Sequence, residues 1–151
     1  MPGDRPRIRA LTDGDLPAVG DLFRAHTGRP ADVEVLRGWI DGWPSAALVL
    51  DGTLRGFAVC CSFAPDIAEI ANVLVAPGAR GAGAGTALVG HVVDEARRRG
   101  LRSLVTVSSS GYQVLESSGS ARAFYEAQRF ETVWSTGTTD VLFLRLDEVP
   151  A

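Results

Sequence analysis

The stretch Val73–Leu88 reads VLVAPGARGAGAGTAL. It begins as a β-branched run and meets a stop at Pro77. Glycines follow at 78, 81, 83 and 85, and a helical pattern starts at Thr86. A strand that feeds a glycine-rich loop and then a helix is an anion-binding device. Glycines let the main chain turn tightly and bring its N–H groups close to a phosphate. The helix adds the positive end of its dipole and its unsatisfied first-turn N–H groups. Arg80 stands at the loop entrance, where a guanidinium can grip phosphate oxygens with paired donors.

Two common phosphate loops do not fit. The P-loop ends in Gly-Lys-Ser/Thr, and this stretch has no lysine. The dinucleotide fingerprint needs Gly-x-Gly-x-x-Gly. Counting from Gly81 puts Thr86 in the third glycine place, and counting from Gly83 puts Leu88 there. What fits is Arg80-x-x-Gly83-x-Gly85, preceded by Val73-Leu74-Val75 and Pro77. That pattern resembles motif A of the GCN5-related N-acetyltransferases. A second stretch agrees with it. Ala121, Phe124, Tyr125 and Phe130 resemble the family's late helix, usually Asn-x-x-Ala-x-x-Phe-Tyr ending in Gly-Phe. Two positions depart: Ser118 replaces the usual Asn, and Arg129 the usual Gly.

Working outward, 151 residues suit one domain, and 46% hydrophobic content suffices for a core. A net charge of −3 gives no basic footprint for nucleic acid. The run Arg97-Arg98-Arg99 ends a helix, where cations suit the negative end of the dipole. Cys60 and Cys61 are neighbours in an apolar strand and point to opposite faces, which argues against a mutual disulfide. The expectation is a reduced, cytoplasmic protein without signal peptide, membrane span or metal site.

Residues 1–5 read as a loose tail and Arg7–Leu11 as a first strand. Thr12 or Asp13 can cap a helix striped by Leu16, Val19, Leu22 and Phe23. After a Gly/Pro break, a second helix carries Val33, Leu36, Trp39 and Ile40 on one face. Ala46–Leu50 and Leu54–Phe63 form a hairpin around Asp51-Gly52. Pro65-Asp66 turns the chain into the strand Ile67–Ala76. Helix Gly85–Arg99 follows the glycine loop and stops at Gly100. Strand Leu101–Val107 comes after that helix and should therefore lie parallel to the strand before the loop. Ser108–Ser120 reads as a long loop. Helix Ala121–Gln128 and strands Glu131–Ser135 and Val141–Leu146 complete the chain.

The resulting order, β-α-α-β-β-β-α-β-α-β-β, is that of the resembled family. The resemblance implies an α/β fold with a mixed, twisted sheet of six to seven strands and about four helices. It places a cofactor where the fourth and fifth strands splay apart. It also implies acetyl-CoA as donor, with no metal, and a small-molecule or peptide amine as acceptor. Homodimers are common in the family. Gly81, Ala82, Gly83, Ala84, Gly85 and Thr86 hold the pyrophosphate through main-chain N–H groups on this reading, with Arg80 beside them. Val73, Leu74 and Val75 pair with the pantetheine amides, and Ser118 stands in for the Asn near the pantetheine or the adenosine-linked phosphate. The helix 1–helix 2 region, with His26, Trp39 and Trp43, lines the acceptor pocket.

The implied reaction is direct attack of an amine on the thioester. An alkylammonium, with a pKa near ~10.4, has no lone pair at pH 7, so something must accept its proton. The leaving thiolate benefits from a donor, and Tyr125 fits that role by motif position. Glu69 lies on the strand that enters the loop and, by alternation, shares a face with Ala71, Val73 and Val75. It is a candidate base through water, with Glu116 and Asp66 as rivals. The Ser118 and Arg129 departures leave a second reading open: a non-catalytic acyl-CoA-binding or regulatory module on the same fold.

Overall fold

The computed structural model of the protein describes residues 5–109 and 121–147. Ser118, Glu116 and most of the Ser108–Ser120 segment therefore lie outside the described residues. The first strand, β1 (Arg7–Arg9), leads into a capping box. The side chain of Asp15 accepts from the Thr12 main-chain N–H at 2.8 Å, and Arg9 holds the same carboxylate at 2.7 Å. Thr12 thus caps a single 3-10 turn, and α1 (Leu16–Thr27) starts after it. Asp32 caps α2 (Val33–Gly42), its side chain accepting from Val35 N at 3.1 Å.

Next come β2 (Ser45–Leu50), β3 (Thr53–Ala64) and β4 (Ile67–Val75), joined by tight turns. Asp51 and Gly52 both have positive φ, 52° and 74°, as a two-residue hairpin of this hand requires. Then α3 (Ala84–Arg98), β5 (Ser103–Ser109), α4 (Ala121–Glu126), β6 (Glu131–Ser135) and β7 (Thr139–Arg145) complete the order expected from the sequence. The seven strands form one sheet in the order β1-β2-β3-β4-β5-β7-β6. Every pairing is antiparallel except β4 with β5, which is parallel as the intervening helix demands.

The core divides between the two faces of the sheet. Leu88, Val89, Val92 and Ala96 of α3 pack with Ala46, Ala58, Cys60, Ile70 and Leu104 on one face, together with Tyr125 and Phe130. On the other, Leu16, Val19 and Leu36 of α1 and α2 cover Phe57, Val59 and Leu74. Gly56 lets α3 sit close: a Cβ there would lie 3.0 Å from the Leu74 carbonyl and 3.3 Å from Leu88 Cδ1.

Alternation along β4 is broken once. Val59 pairs with Asn72 and Cys60 with Ile70, so Ala71 is an extra residue, a β-bulge. The bulge corrects the face assigned to Glu69. Val73 and Val75 sit on the α3 face, whereas Glu69, opposite Cys61, lies on the face that carries α1 and α2.

The end of α4 explains how Arg129 replaces glycine. Its φ is 73°, in the left-handed region. Phe130 N donates to Tyr125 O at 3.1 Å and Arg129 N to Glu126 O at 3.0 Å, the paired bonds of a Schellman cap. The backbone keeps its glycine geometry and an arginine bears the strain. We expect Arg129→Gly to stabilise the fold by about 1 kcal/mol, the left-handed penalty less the added freedom of glycine in the unfolded chain. Urea unfolding of the two proteins measures this, and unchanged stability would show the strain to be absent.

Candidate active site

The ladder between β4 and β5 has three pairs, Ile67–Ser103, Ala68–Leu104 and Glu69–Val105, and then ends. Beyond Glu69 the strands part. On its other edge β5 pairs with β7 along its whole length, seven consecutive pairs from Ser103–Arg145 to Ser109–Thr139. The parting leaves one edge of β4 without a strand. Two of its carbonyls are taken: Ile70 O accepts from Thr106 Oγ1 at 3.5 Å, and Val75 O accepts from Arg80 Nε at 2.9 Å. Between them, the edge formed by Ala71–Leu74 faces the gap.

A cleft of about 380 Å³ fills this gap. β4 supplies one wall, from Ile70 to Leu74, and Thr106, Val107 and Ser108 of β5 supply the other. Ala121 and Tyr125 close one end, and Phe23, His26, Thr27 and Trp39 close the other. Trp43, by contrast, packs on the α3 face, and His91 is half-buried on α3 with its Nδ1 lacking a hydrogen-bond partner.

The glycine loop lies past the end of β4. Gly81 and Gly83 have φ of 88° and 73°, and a Cβ on either would meet nothing within 4 Å. Glycine is required there by backbone conformation, not by space. Gly83 is the N-cap of α3, and no side chain caps the helix. The first intrahelical bond runs from Ala87 N to Gly83 O at 3.0 Å, so the N–H groups of the preceding residues have no intrahelical acceptor. Ala84 and Gly85 are buried, whereas Gly81, Ala82, Gly83 and Thr86 are exposed. Arg80, half-buried, spends Nε in fastening the loop to the end of β4. A helix start left open beside an unpaired strand edge fits a ligand carrying a diphosphate and an amide-bearing arm.

Tyr125 is only 4% exposed and lies between Phe124 and Phe130, with ring centroids 5.0 and 5.3 Å away. Burial pushes its phenol up to about 12, against the opposing effect of a hydrogen bond with Thr106. The group is therefore protonated throughout the physiological range. Thr106, itself buried, thus touches both Tyr125 and β4. Glu69 belongs to the last β4–β5 pair, at the vertex of the splay. It is half-buried, and its Oε2 lies 3.9 Å from Cys61 Sγ; it does not line the cleft itself. Burial also raises the thiols of Cys60 and Cys61, so neither is an activated nucleophile. Asp66, on the turn before β4, is 3.6 Å from Arg102 and does not line the cleft. Among the described residues, no group of three or more His, Cys, Asp or Glu is placed to hold a metal ion, and no helix is long and apolar enough to cross a membrane.

Sequence reasoning missed Phe23, Asn72 and Thr106. Thr106 left one signal, a hydroxyl at an inward position between Leu104 and the cleft. Asn72 left none, because the bulge decides its face.

Residues 17–130 match the model of the acetyltransferase (GNAT) family. The chain belongs to this family. It is 32% identical over 106 residues to the amino-acid acetyltransferase of Neisseria meningitidis, a match covering 68% of this chain and 24% of that protein. The chain thus spans about a quarter of the length of its curated relatives. Among solved structures, the ribosomal-protein-S18-alanine N-acetyltransferase of Escherichia coli superposes with a TM-score of 0.77 at 22% identity, covering 97% of both chains. The N-acetylglutamate synthase of Neisseria gonorrhoeae, complexed with coenzyme A and N-acetyl-glutamate, gives a TM-score of 0.71 at 26% identity, over 95% of this chain and 36% of that one.

Burial of Tyr125 has a consequence for stability. Its folded value lies above the unfolded value near ~10, so its contribution is fully present below pH 10 and is lost as pH rises towards 12. At pH 11 the loss amounts to about 1 kcal/mol. Tyr125→Phe removes this term. Urea unfolding at pH 9 and 11 should show the stability difference between wild type and variant shifting in favour of the variant by about that amount. A constant difference would mean that the phenol ionises normally.

Proposed function

We propose that the protein moves an acetyl group from acetyl-CoA to a primary amine. The observation that carries this is the conjunction of an unpaired β4 edge, an uncapped α3 start and a buried phenol at the end of the same cleft. The Gly81–Thr86 loop would hold the diphosphate through main-chain N–H groups, with Arg80 steadying the loop. Val73, Leu74 and Val75 would align the pantetheine arm along the free edge. Ser118 belongs to the proposed donor site by motif position and lies outside the described residues. Bound there, acetyl-CoA supplies an activated acyl carbon.

The transfer forms one N–C bond and breaks one C–S bond. An ammonium acceptor gives up two protons in becoming an amide. One is released to water and one ends on the departing sulfur. Tyr125, kept neutral by burial, donates to that sulfur and recovers a proton afterwards. Glu69, at the vertex of the splay, takes the amine's proton through water.

The deciding experiment is calorimetric titration with acetyl-CoA beside a thiol-release assay over a panel of amines. Saturable binding with thiol release on amine addition is the expected result. Binding without release from any amine would favour the regulatory-module reading. Replacing Gly83 by valine should weaken acetyl-CoA binding about tenfold, the equivalent of the 1–2 kcal/mol left-handed penalty. We expect Tyr125→Phe to lower kcat by about 10²-fold with acetyl-CoA affinity unchanged. For Glu69→Gln we expect a fall in kcat/KM of about 10-fold or more, again without loss of donor binding. Wild-type turnover in either variant removes that residue from the mechanism.

A further inference from the structure

A second, smaller cavity adjoins the cleft. It measures about 110 Å³ and lies between α1, α2 and the sheet. Phe23, Trp39 and Asn72 line both spaces. The rest of its wall is mostly aliphatic or aromatic: Val19, Ala31, Val35, Leu36 and Phe57. Its one carboxylate, Asp32, is engaged in capping α2. Among the described residues no arginine lines either cavity. The chain contains no lysine at all, and Ser110–Ser120, read as SGYQVLESSGS, has no basic residue. Among the described residues that line the cleft, His26 is the single side chain able to carry positive charge, and it is exposed at the end of α1.

These facts bear on the acceptor. A carboxylate moved out of water needs a cation or several donors to offset its lost hydration. The acceptor end offers an indole, a phenyl ring, one amide, one hydroxyl and, at its solvent-exposed rim, the single imidazole of His26. Those groups suit an ammonium over an aromatic face and an apolar body beside it. A dry cavity of about 150 Å³ accepts benzene; at about 110 Å³, and open at Asp32 and Val35, the smaller cavity takes most of one ring or one branched aliphatic group.

We propose that the acceptor is a primary amine bearing one apolar group about the size of a phenyl ring, with no carboxylate beside the nitrogen. The apolar group enters the smaller cavity past Trp39, and the Asn72 amide, turned to this face by the Ala71 bulge, faces the amine. This assignment rests on the acetyltransferase reading and narrows it. It also sets the chain apart from what the name of its meningococcal relative, an amino-acid acetyltransferase, says of that protein.

The test uses the full chain, acetyl-CoA and four matched amines: phenethylamine, phenylalanine amide, phenylalanine and glutamate. We expect the first two to be acetylated with kcat/KM at least about 100-fold above the last two. The better of the first two separates a small arylalkylamine from a peptide N-terminus. Phenylalanine or glutamate within tenfold of the amide would overturn the assignment while leaving the acetyltransferase reading intact. Tight acetyl-CoA binding with none of the four acetylated overturns it as well, and failure to bind acetyl-CoA removes the parent reading. Ala31→Leu fills the smaller cavity from the N-terminal side of α2, where an apolar residue can pack on Leu36. This variant should raise KM for phenethylamine about tenfold and leave KM for ethylamine and the acetyl-CoA Kd unchanged. An unchanged KM for phenethylamine would place the ring elsewhere and overturn the assignment.

Discussion

Everything at the site depends on a ladder that stops. β4 and β5 share three residue pairs, while the other edge of β5 pairs with β7 along all seven residues. The two pairings use opposite edges of β5 and do not compete; seven antiparallel pairs keep β5 with β7 where its three parallel pairs with β4 end. The bulge at Ala71 adds twist to β4 where the strands separate. Main-chain groups left along β4 must find partners in water or in a ligand, because an unmet buried amide costs about 1–3 kcal/mol. Thr106 and Arg80 satisfy the two ends of the exposed edge and leave its middle open. The gap is therefore a built feature, held apart by its neighbours.

Around the gap, polar work is divided between wet and dry halves. The glycine loop is exposed, so its N–H groups can meet a highly charged ligand without first stripping that ligand of all solvent. Tyr125 is the opposite case. Its ring is enclosed by Phe124 and Phe130, and its backbone carbonyl receives the Phe130 N–H of the helix cap. The strained Arg129 conformation thus helps to anchor a residue at the end of the cleft. Enclosure keeps the phenol protonated, which suits a donor and excludes a standing phenolate.

Much of this was legible in the sequence, for local reasons. The Asp51-Gly52 turn, the 81–85 glycines and the apolar stripe of α3 are signals within a few residues, and each element appeared within two residues of its expected bounds. The parallel placement of β5 followed from a helix between two strands. The face of Glu69 did not, because alternation cannot reveal which residue a bulge skips. Strand β5 begins at Ser103, not Leu101, since Leu101 N completes the end of α3 by bonding to Ala96 O. Asn72, Phe23 and Thr106 come together across elements some fifty residues apart in places, and no periodicity encodes that meeting. Arg129 is a visible misfit to the family's glycine; only the backbone tells that the glycine geometry survives.

The two halves of the site bind by different means, and this has consequences for how far similarity can carry function. Donor recognition, as proposed, runs through main-chain groups, so it needs glycines at two positions and an open strand edge, and little else. Chains at 22–32% identity can keep that much. The acceptor end, as proposed, is made of side chains from α1, α2 and Asn72 beside the β4 bulge, each free to change without disturbing the loop. Shared fold and shared donor chemistry therefore say nothing about which amine is taken. On the proposed assignment the choice in this chain falls to Phe23, Trp39 and Asn72, an aromatic and uncharged lining that suits an apolar neighbour to the reacting nitrogen.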